Sequence, residues 1–105
     1  MLLNISITST GNEIRVKVAE QINFSNAAAF DQELLSVYGD TSKNIILDFT
    51  ELDYISSAGL RSLIMCSKEL AVNNKKLRCV LKKSSKIKNI FYLAGLYSVL
   101  NIEEI

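Results

Sequence analysis

The sequence predicts one α/β domain over residues 1–105, with a mixed but mostly parallel sheet and helices packed on it. Three observations predict this. Short β-prone apolar runs alternate with amphipathic stretches in the order β-β-α-β-α-β-α-β, the mark of strands joined by helical crossovers. The first two runs are separated only by a turn, so they form a hairpin and make the sheet mixed. The run Ile45-Ile46-Leu47-Asp48-Phe49 is almost wholly apolar, as a central strand buried on both faces must be.

Each element has its own signal. Leu3, Ile5 and Ile7 alternate with polar residues, and Ser9-Thr10-Gly11-Asn12 supplies the turn. Ile14, Val16 and Val18 resume the alternation. Asn23-Phe24-Ser25-Asn26 breaks the second strand, and Ser25 or Asn26 can cap the helix that follows. Ala27, Phe30, Leu34 and Val37 or Tyr38 recur at helical spacing, and Gly39-Asp40 ends that helix. After Phe49 a polar loop is expected, leading to Ser56 and Ser57. Leu60, Leu63, Ile64, Ser67, Leu70 and Ala71 mark the second helix, which is expected to fray near Asn73-Asn74. Leu77–Leu81 reads as another buried strand. Ser84-Ser85 can cap a third helix, with Ile87, Ile90, Phe91 and Ala94 on one face and Gly95 at its end. Leu100–Ile105 is a final short strand.

Composition removes many function classes. A chain of 105 residues that is 49% apolar can build one core, and it contains no proline, linker or repeat. The net charge of +1, with both signs interspersed, gives no electrostatic case for nucleic acid or an anionic membrane. Lys82, Lys83, Lys86 and Lys88 form the one local excess, read as a solvated loop and helix end or else as a contact for an acidic partner. Histidine is absent, so Ser-His-Asp and Cys-His systems lack their base and histidine-ligated zinc is impossible. Ser57-Ala58-Gly59 is half of a G-x-S-x-G elbow, but residue 55 is Ile. Asp48, Glu51 and Asp53 could be read as a metal cluster, although three acids on a loop are more often solvated. Cys66 and Cys79 lie in apolar surroundings and read as buried free thiols, consistent with a reducing cytosol. No segment has the length of a membrane span, and the N-terminus has no signal-peptide pattern. A cytoplasmic protein without membrane insertion is expected. No glycine-rich phosphate loop is present, so neither nucleotide nor another cofactor is expected.

The passage from the central strand into the second helix is the most informative stretch. Ser56-Ser57-Ala58-Gly59 places a serine hydroxyl at a helix N-terminus, where free N–H groups and the helix dipole favour a negative group. A serine so placed is a cap, a phosphorylation site, or both. The spacing Asp48-x-x-x-Leu52-x-x-Ile55-x-Ser57-x-Gly59-Leu60, supported by Gly95-Leu96, resembles the STAS domain family. More narrowly, it resembles the bacterial anti-sigma factor antagonists, or anti-anti-sigma factors. The resemblance covers essentially the whole chain.

It implies a phosphorylation switch. Ser57 holds the phosphoacceptor place, Ala58 that of the small residue and Gly59 that of the glycine. The implied partner is a serine kinase of the ATP-binding, histidine-kinase-like type that is also the anti-sigma factor. The unphosphorylated antagonist binds it and frees the sigma factor; phosphorylation breaks the complex, and a PP2C-type phosphatase resets it. The chain is then a substrate and a ligand, not an enzyme, and it regulates sigma-dependent transcription. The implied docking surface is the helix start with Ser56, Ala58, Gly59 and Arg61, together with the loop Asn23, Phe24 and Ser25. Both lie at strand C-terminal ends. Three positions depart from the family pattern: Ser56 and Asn23 stand where aspartates are usual, and Glu20 where a glycine is common. The alternative is a non-switching STAS subunit of a lipid or anion transporter or of a sensory assembly, in which Ser57 would be a cap or a fixed contact.

Overall fold

The computed structural model describes residues 2–39 and 43–105. Its elements are β1 (Asn4–Thr10), β2 (Glu13–Ile22), α1 (Ala27–Tyr38), β3 (Asn44–Ile55), α2 (Ser57–Val72), β4 (Leu77–Leu81), α3 (Ile87–Leu93) and β5 (Asn101–Glu104), with a short 3-10 turn at Leu96–Ser98 before β5. The sheet runs β1-β2-β3-β4-β5 in chain order. β1 pairs antiparallel with β2, and the other neighbours are parallel. The mixed, mostly parallel α/β sheet expected from the sequence is what forms. The 3-10 turn is the one element without a counterpart among the expected ones.

Alternation in the strands decides where the core lies. Val16 and Val18 of β2, Ile45, Leu47 and Phe49 of β3, and Leu77, Cys79 and Leu81 of β4 point to one face and join one buried cluster with the helices. Phe49 stands at its centre, with the Phe30 ring of α1 at 6.4 Å and the Phe91 ring of α3 at 6.3 Å. Such tilted and edge-on aromatic contacts add about 0.5–1.5 kcal/mol beyond area burial. Among the described residues, the opposite face has no helix on it. There Ile46 is 4% exposed because its register neighbours are Arg15 on β2 and Arg78 on β4. Long charged side chains therefore cover it with their aliphatic stems, and ion pairs Arg15–Asp48, Lys17–Glu51 and Arg78–Glu103 tie their ends. The apolar run at Ile45–Leu47 is buried on both faces, as expected, but only one face is covered by helices.

The expected polar loop after Phe49 does not exist. β3 continues to Ile55, and Ser56 alone connects it to α2. Between Lys17 and Ile22, β2 advances five residues while β3 advances seven, from Asp48 to Ile55, so two extra residues bulge out of β3. The bulges change the burial period, placing Phe49, Leu52 and Ile55 inside at intervals of three.

The helix ends also refine the expectations. On α2 the inward residues are Gly59, Ser62, Leu63, Cys66 and Leu70, with Leu60 and Ile64 at the margin and Ala71 exposed. The helix does not fray at Asn73-Asn74. Asn74 takes a left-handed φ of 59°, its N–H donates to Ala71 O at 3.1 Å, and the Lys75 N–H donates to Leu70 O at 2.8 Å. That is an ordered Schellman ending. On α3, Ser85 Oγ accepts from the Ile87 N–H at 3.2 Å, and Gly95, with φ 75°, ends the helix as expected; Ala94 is exposed rather than inward. Gly39 follows α1, while Asp40, expected to share that role, lies outside the described residues.

Candidate functional site

The ends of β2 and β3 are bolted together where both strands stop. The Ser56 N–H donates to Ile22 O at 2.8 Å, fixing the start of α2 against the last residue of β2. Ser56 has extended dihedrals and is the N-cap: its Oγ accepts from the Gly59 N–H at 3.2 Å, and its carbonyl accepts the Leu60 N–H at 2.9 Å. The cap is thus Ser56, and a capping role for Ser57 is ruled out by this geometry. Ser57 is the first helical residue and is exposed, and its hydroxyl has no hydrogen-bond partner among the described residues.

Gly59 is what lets the helix start so close to the sheet. A Cβ there would sit 2.8 Å from Ile55 Cγ1 and 2.9 Å from Ile22 Cγ2, the apolar ends of the same two strands. Only a glycine keeps both isoleucines buried beneath the first turn while Ser57 faces out.

The neighbouring loop, Asn23 to Asn26, is held by its own side chains. The Asn23 N–H donates to Asn26 Oδ1 at 2.8 Å, the Ser25 N–H donates to Asn23 Oδ1 at 3.0 Å, and Asn26 Nδ2 donates to Gln21 O at 3.0 Å. Asn26 is the N-cap of α1, as one of the two expected candidates, yet its side chain bonds the loop rather than the helix amides. This bonding leaves Phe24 standing 93% exposed at the loop tip.

The two expected regions, Asn23–Ser25 and Ser56–Arg61, are therefore adjacent. Between them an open groove separates α1 from α2, and Phe24, Ala58 and Arg61, three of the residues singled out in the sequence, border it. Ala28, Asp31 and Met65 border it too, and sequence reasoning missed these three. The available signal was the pair Ala27-Ala28 and Ala58, small residues near the starts of two helices that line the same groove. Beneath the groove Ser62 Oγ donates to Asp31 Oδ1 at 2.6 Å, joining the helices.

The acids Asp48, Glu51 and Asp53 lie on a strand, not a loop, and they diverge. Asp48 accepts from Arg15 at 2.9 Å and from the Thr50 hydroxyl at 2.6 Å, within the first bulge. Partial burial works to raise its pKa, but the Thr50 hydroxyl and amide, with Arg15 and Lys17, outweigh this and hold it below the usual carboxylate value. Glu51 pairs with Lys17, while Asp53 borders a separate hollow near Glu20. Among the described residues no group of three acids or thiols is placed to hold a metal ion. Cys66 and Cys79 are free and buried; burial pushes the Cys66 thiol up to about 12 and Cys79 higher still. Both are inert at neutral pH. Glu20 has a left-handed φ of 69°, a conformation that favours glycine. Of the basic stretch, Lys88 pairs with Glu104 at 3.2 Å, and Lys82, Lys83 and Lys86 are solvent-exposed. No helix among the described residues is long and apolar enough to cross a membrane.

Comparison with known proteins agrees with this fold. The model of the STAS domain family matches residues 4–104. BtrV of Bordetella bronchiseptica, provisionally named an anti-sigma factor antagonist, is 33% identical over 79 residues, 74% of this chain and 66% of that one. The match therefore spans just under two thirds of the Bordetella protein. The anti-sigma-B factor antagonist of Staphylococcus aureus is 26% identical over 104 residues, 99% of this chain and 95% of that protein. Among solved structures, an anti-sigma factor antagonist from Mycobacterium paratuberculosis superposes with a TM-score of 0.85 at 18% identity, covering 97% of this chain and 86% of that one. SpoIIAA shares the fold in its unphosphorylated form (TM-score 0.80, 11% identity, 96% and 87% covered) and, from Bacillus, in its phosphorylated form (0.68, 15%, 99% and 91%).

Proposed function

This chain belongs to the STAS domain family, and we propose that within it the chain acts as an anti-sigma factor antagonist switched by phosphorylation of Ser57. Unphosphorylated, it binds a serine kinase of the ATP-binding, histidine-kinase-like type that doubles as the anti-sigma factor. Phosphorylated, it lets that partner go, and a PP2C-type phosphatase restores the hydroxyl. These partners place the chain in the cytoplasm. The observation that carries the reading is the division of labour between the two serines. Ser56 satisfies the helix cap, which leaves the Ser57 hydroxyl exposed and unbonded for a kinase to reach. Relatives named as anti-sigma factor antagonists and the two SpoIIAA forms support it.

The chemistry is balanced and local. The kinase transfers the γ-phosphoryl group of ATP to Ser57 Oγ, whose proton leaves to a base, giving ADP and phosphoserine. Phosphatase-catalysed hydrolysis returns the serine and inorganic phosphate. The phosphoryl group carries about −1.5 to −2 charge at pH 7. It stands at the first turn of α2, ahead of the first intrahelical bond, where amides and dipole accept negative charge at a gain of about 0.3–1 kcal/mol. The domain thus keeps its fold while the surface around Ser57 changes sign. A partner that closes over Ser57 with carboxylates or apolar contacts then meets a desolvated dianion, which is worth several kcal/mol against binding. In this scheme the chain does no catalysis of its own.

The test is paired capture from the host lysate with wild-type, Ser57→Ala and Ser57→Asp chains, retained proteins being identified by mass. The expected result is a serine kinase held by wild type and Ser57→Ala but lost with Ser57→Asp, and an ATP-dependent phosphoryl mass gain on wild type alone. Transporter or scaffold subunits held equally by all three would overturn the switch and favour a structural STAS module.

A further inference from the structure

We propose that the outer edge of β1 is a dimer contact, at which a second copy of this chain pairs its own β1 antiparallel about a two-fold axis at Ile5. The contact does not depend on phosphorylation of Ser57.

The two edges of the sheet are built differently. β1 and β5 are its end strands. β5 has four residues, and two of them are glutamates. Glu103 lies 3.5 Å from Arg78, and Glu104 meets Lys88 at 3.2 Å and the Tyr97 hydroxyl at 2.8 Å. Short length and charge are the usual means of keeping another strand off an edge. β1 has neither. Its seven residues, Asn4-Ile5-Ser6-Ile7-Thr8-Ser9-Thr10, carry no charge and no proline, and they pair with β2 without a bulge. In an antiparallel ladder every second residue turns its N–H and C=O away from the neighbouring strand. Along β1 those groups face outward, with no backbone partner among the described residues. Apolar surface accompanies them: Ile7 is 40% exposed, and Leu2, just before the strand, is 94% exposed.

An identical strand is the occupant that this pattern fits. Ile5 and Ile7 stand opposite the core residues Val18 and Val16 of β2, so with Leu3 they lie on the core face of the sheet. A two-fold axis at Ile5 sets Ile5 against Ile5 of the second copy and Leu3 against Ile7. Every apolar side chain on that face then meets an apolar one. On the other face Asn4 meets Ser6, and Leu2 meets Thr8. Moving the axis to Ser6 would set Leu3 against Ser9, whose hydroxyl accepts from Lys43 Nζ at 2.6 Å. The axis at Ile5 keeps that ammonium clear of the contact. A net charge of +1 leaves two copies without long-range repulsion. At about 3.4 Å per residue the paired stretch is about 24 Å long, a small contact of the kind that forms reversibly.

Sedimentation velocity of the purified chain, from low-micromolar to near-millimolar concentration, is expected to show a monomer–dimer equilibrium. Ser6 is exposed, and Ser6→Lys gives the edge the charge it lacks, which should weaken the dimer at least about tenfold. Circular dichroism checks that the fold is kept. Leu93→Lys, at an 82% exposed position on α3, should leave the dimer unchanged. Crosslinking then tests the register. Both native cysteines are buried, so oxidation of Ile5→Cys should join two copies through the introduced thiols. Ile7→Cys, whose two thiols lie about 14 Å apart along the strands, should crosslink at least about tenfold more slowly. A chain that stays monomeric throughout overturns the proposal, whatever other strand the edge takes up. A dimer broken by Leu93→Lys but not by Ser6→Lys, or crosslinked faster through position 7 than through position 5, overturns it as well.

Discussion

From Asn44 to Phe49, β3 lies between β2 and β4, in register with both near Ile45–Asp48, and its inward side chains sit at the bottom of the core. From Thr50 to Ile55 the same strand pairs with β2 alone, carries the two bulges and ends on Ser56. The first half is a scaffold made rigid from both sides. The second is a bracket reaching past the end of β4, held by one neighbour and by the Ser56–Ile22 bond. The difference teaches how a small domain can present an exposed hydroxyl without loosening its core. Contacts that hold the fold and contacts that position the Ser56-Ser57 turn occupy separate stretches of one strand.

The comparison breaks most severely at Phe49. Phe49→Ala removes the ring that both Phe30 and Phe91 meet, and should cost about 3–5 kcal/mol in urea unfolding. A domain stable by about 5–15 kcal/mol can lose most of its margin to such a change. A loss under about 1 kcal/mol would mean that the aromatic cluster does not hold the scaffold half. Gly59→Ala attacks the bracket half instead. Its methyl would meet Ile55 and Ile22 at 2.8 and 2.9 Å, and overpacking of that kind costs about 1–3 kcal/mol. Its effect should appear in hydrogen exchange as faster opening of the α2 start before the rest of the sheet. Uniform opening would deny that the bracket is a separate unit.

The two serines sharpen the contrast within a single turn. Ser56→Ala removes the bond to the Gly59 N–H and should cost about 1 kcal/mol, while Ser56→Asp, which also caps, should cost less. Ser57→Ala should change stability by no more than about 0.5 kcal/mol, because the residue is exposed and unbonded, yet it should abolish phosphoryl uptake. Equal destabilisation by both alanines in thermal melts would contradict the assignment of the cap to Ser56.

The scaffold half was legible in the sequence and the bracket half was not, and the reason is periodicity. Ile45, Leu47 and Phe49 keep the period of two that a regular strand imposes, and the helices they face keep theirs. Beyond Asp48 the bulges put Phe49, Leu52 and Ile55 inward at every third residue. Acids at 51 and 53 between them, with Asp48 just before, then look like a loop to any rule based on alternation. The candidate site was readable as a stretch because its signal is local: serine, small residue and glycine where a strand meets a helix. Choosing between Ser56 and Ser57 needed the backbone, since a cap is defined by its dihedrals and not by its residue type. The groove needed the fold, because Ala28 and Asp31 approach Met65 only when α1 and α2 pack side by side.

Glu20 offers a gain rather than a loss. It occupies a left-handed φ of 69° at the second shift of register between β2 and β3. A side chain there costs about 1–2 kcal/mol, partly offset by the entropy glycine adds to the unfolded chain and by the loss of the 3.1 Å bond from Asn4 Nδ2 to the Glu20 carboxylate. Glu20→Gly should therefore stabilise by about 0.5–1 kcal/mol in urea unfolding. No gain, or a loss, would show that the Asn4 contact outweighs the backbone conformation and that β1 helps to set the bracket.

The smallest expected effect lies at Asp48, on the boundary between the halves. Its carboxylate receives Arg15 from β2 and the Thr50 hydroxyl and amide from the first bulge, so it joins the regular strand to the irregular one. Burial raises its pKa, but these partners hold it below the value it has in an unfolded chain, about 3.9. A carboxylate with a depressed folded pKa contributes stability that is present above the unfolded value and lost as pH falls through the folded one. Wild type should thus weaken below about pH 4, whereas Asp48→Asn should start weaker at pH 7 and lose less on acidification. Unfolding midpoints measured between pH 7 and pH 2 give the two curves, which should converge at the acid end. Parallel curves would assign the acid loss to other carboxylates and leave the bulge to be held by backbone pairing alone.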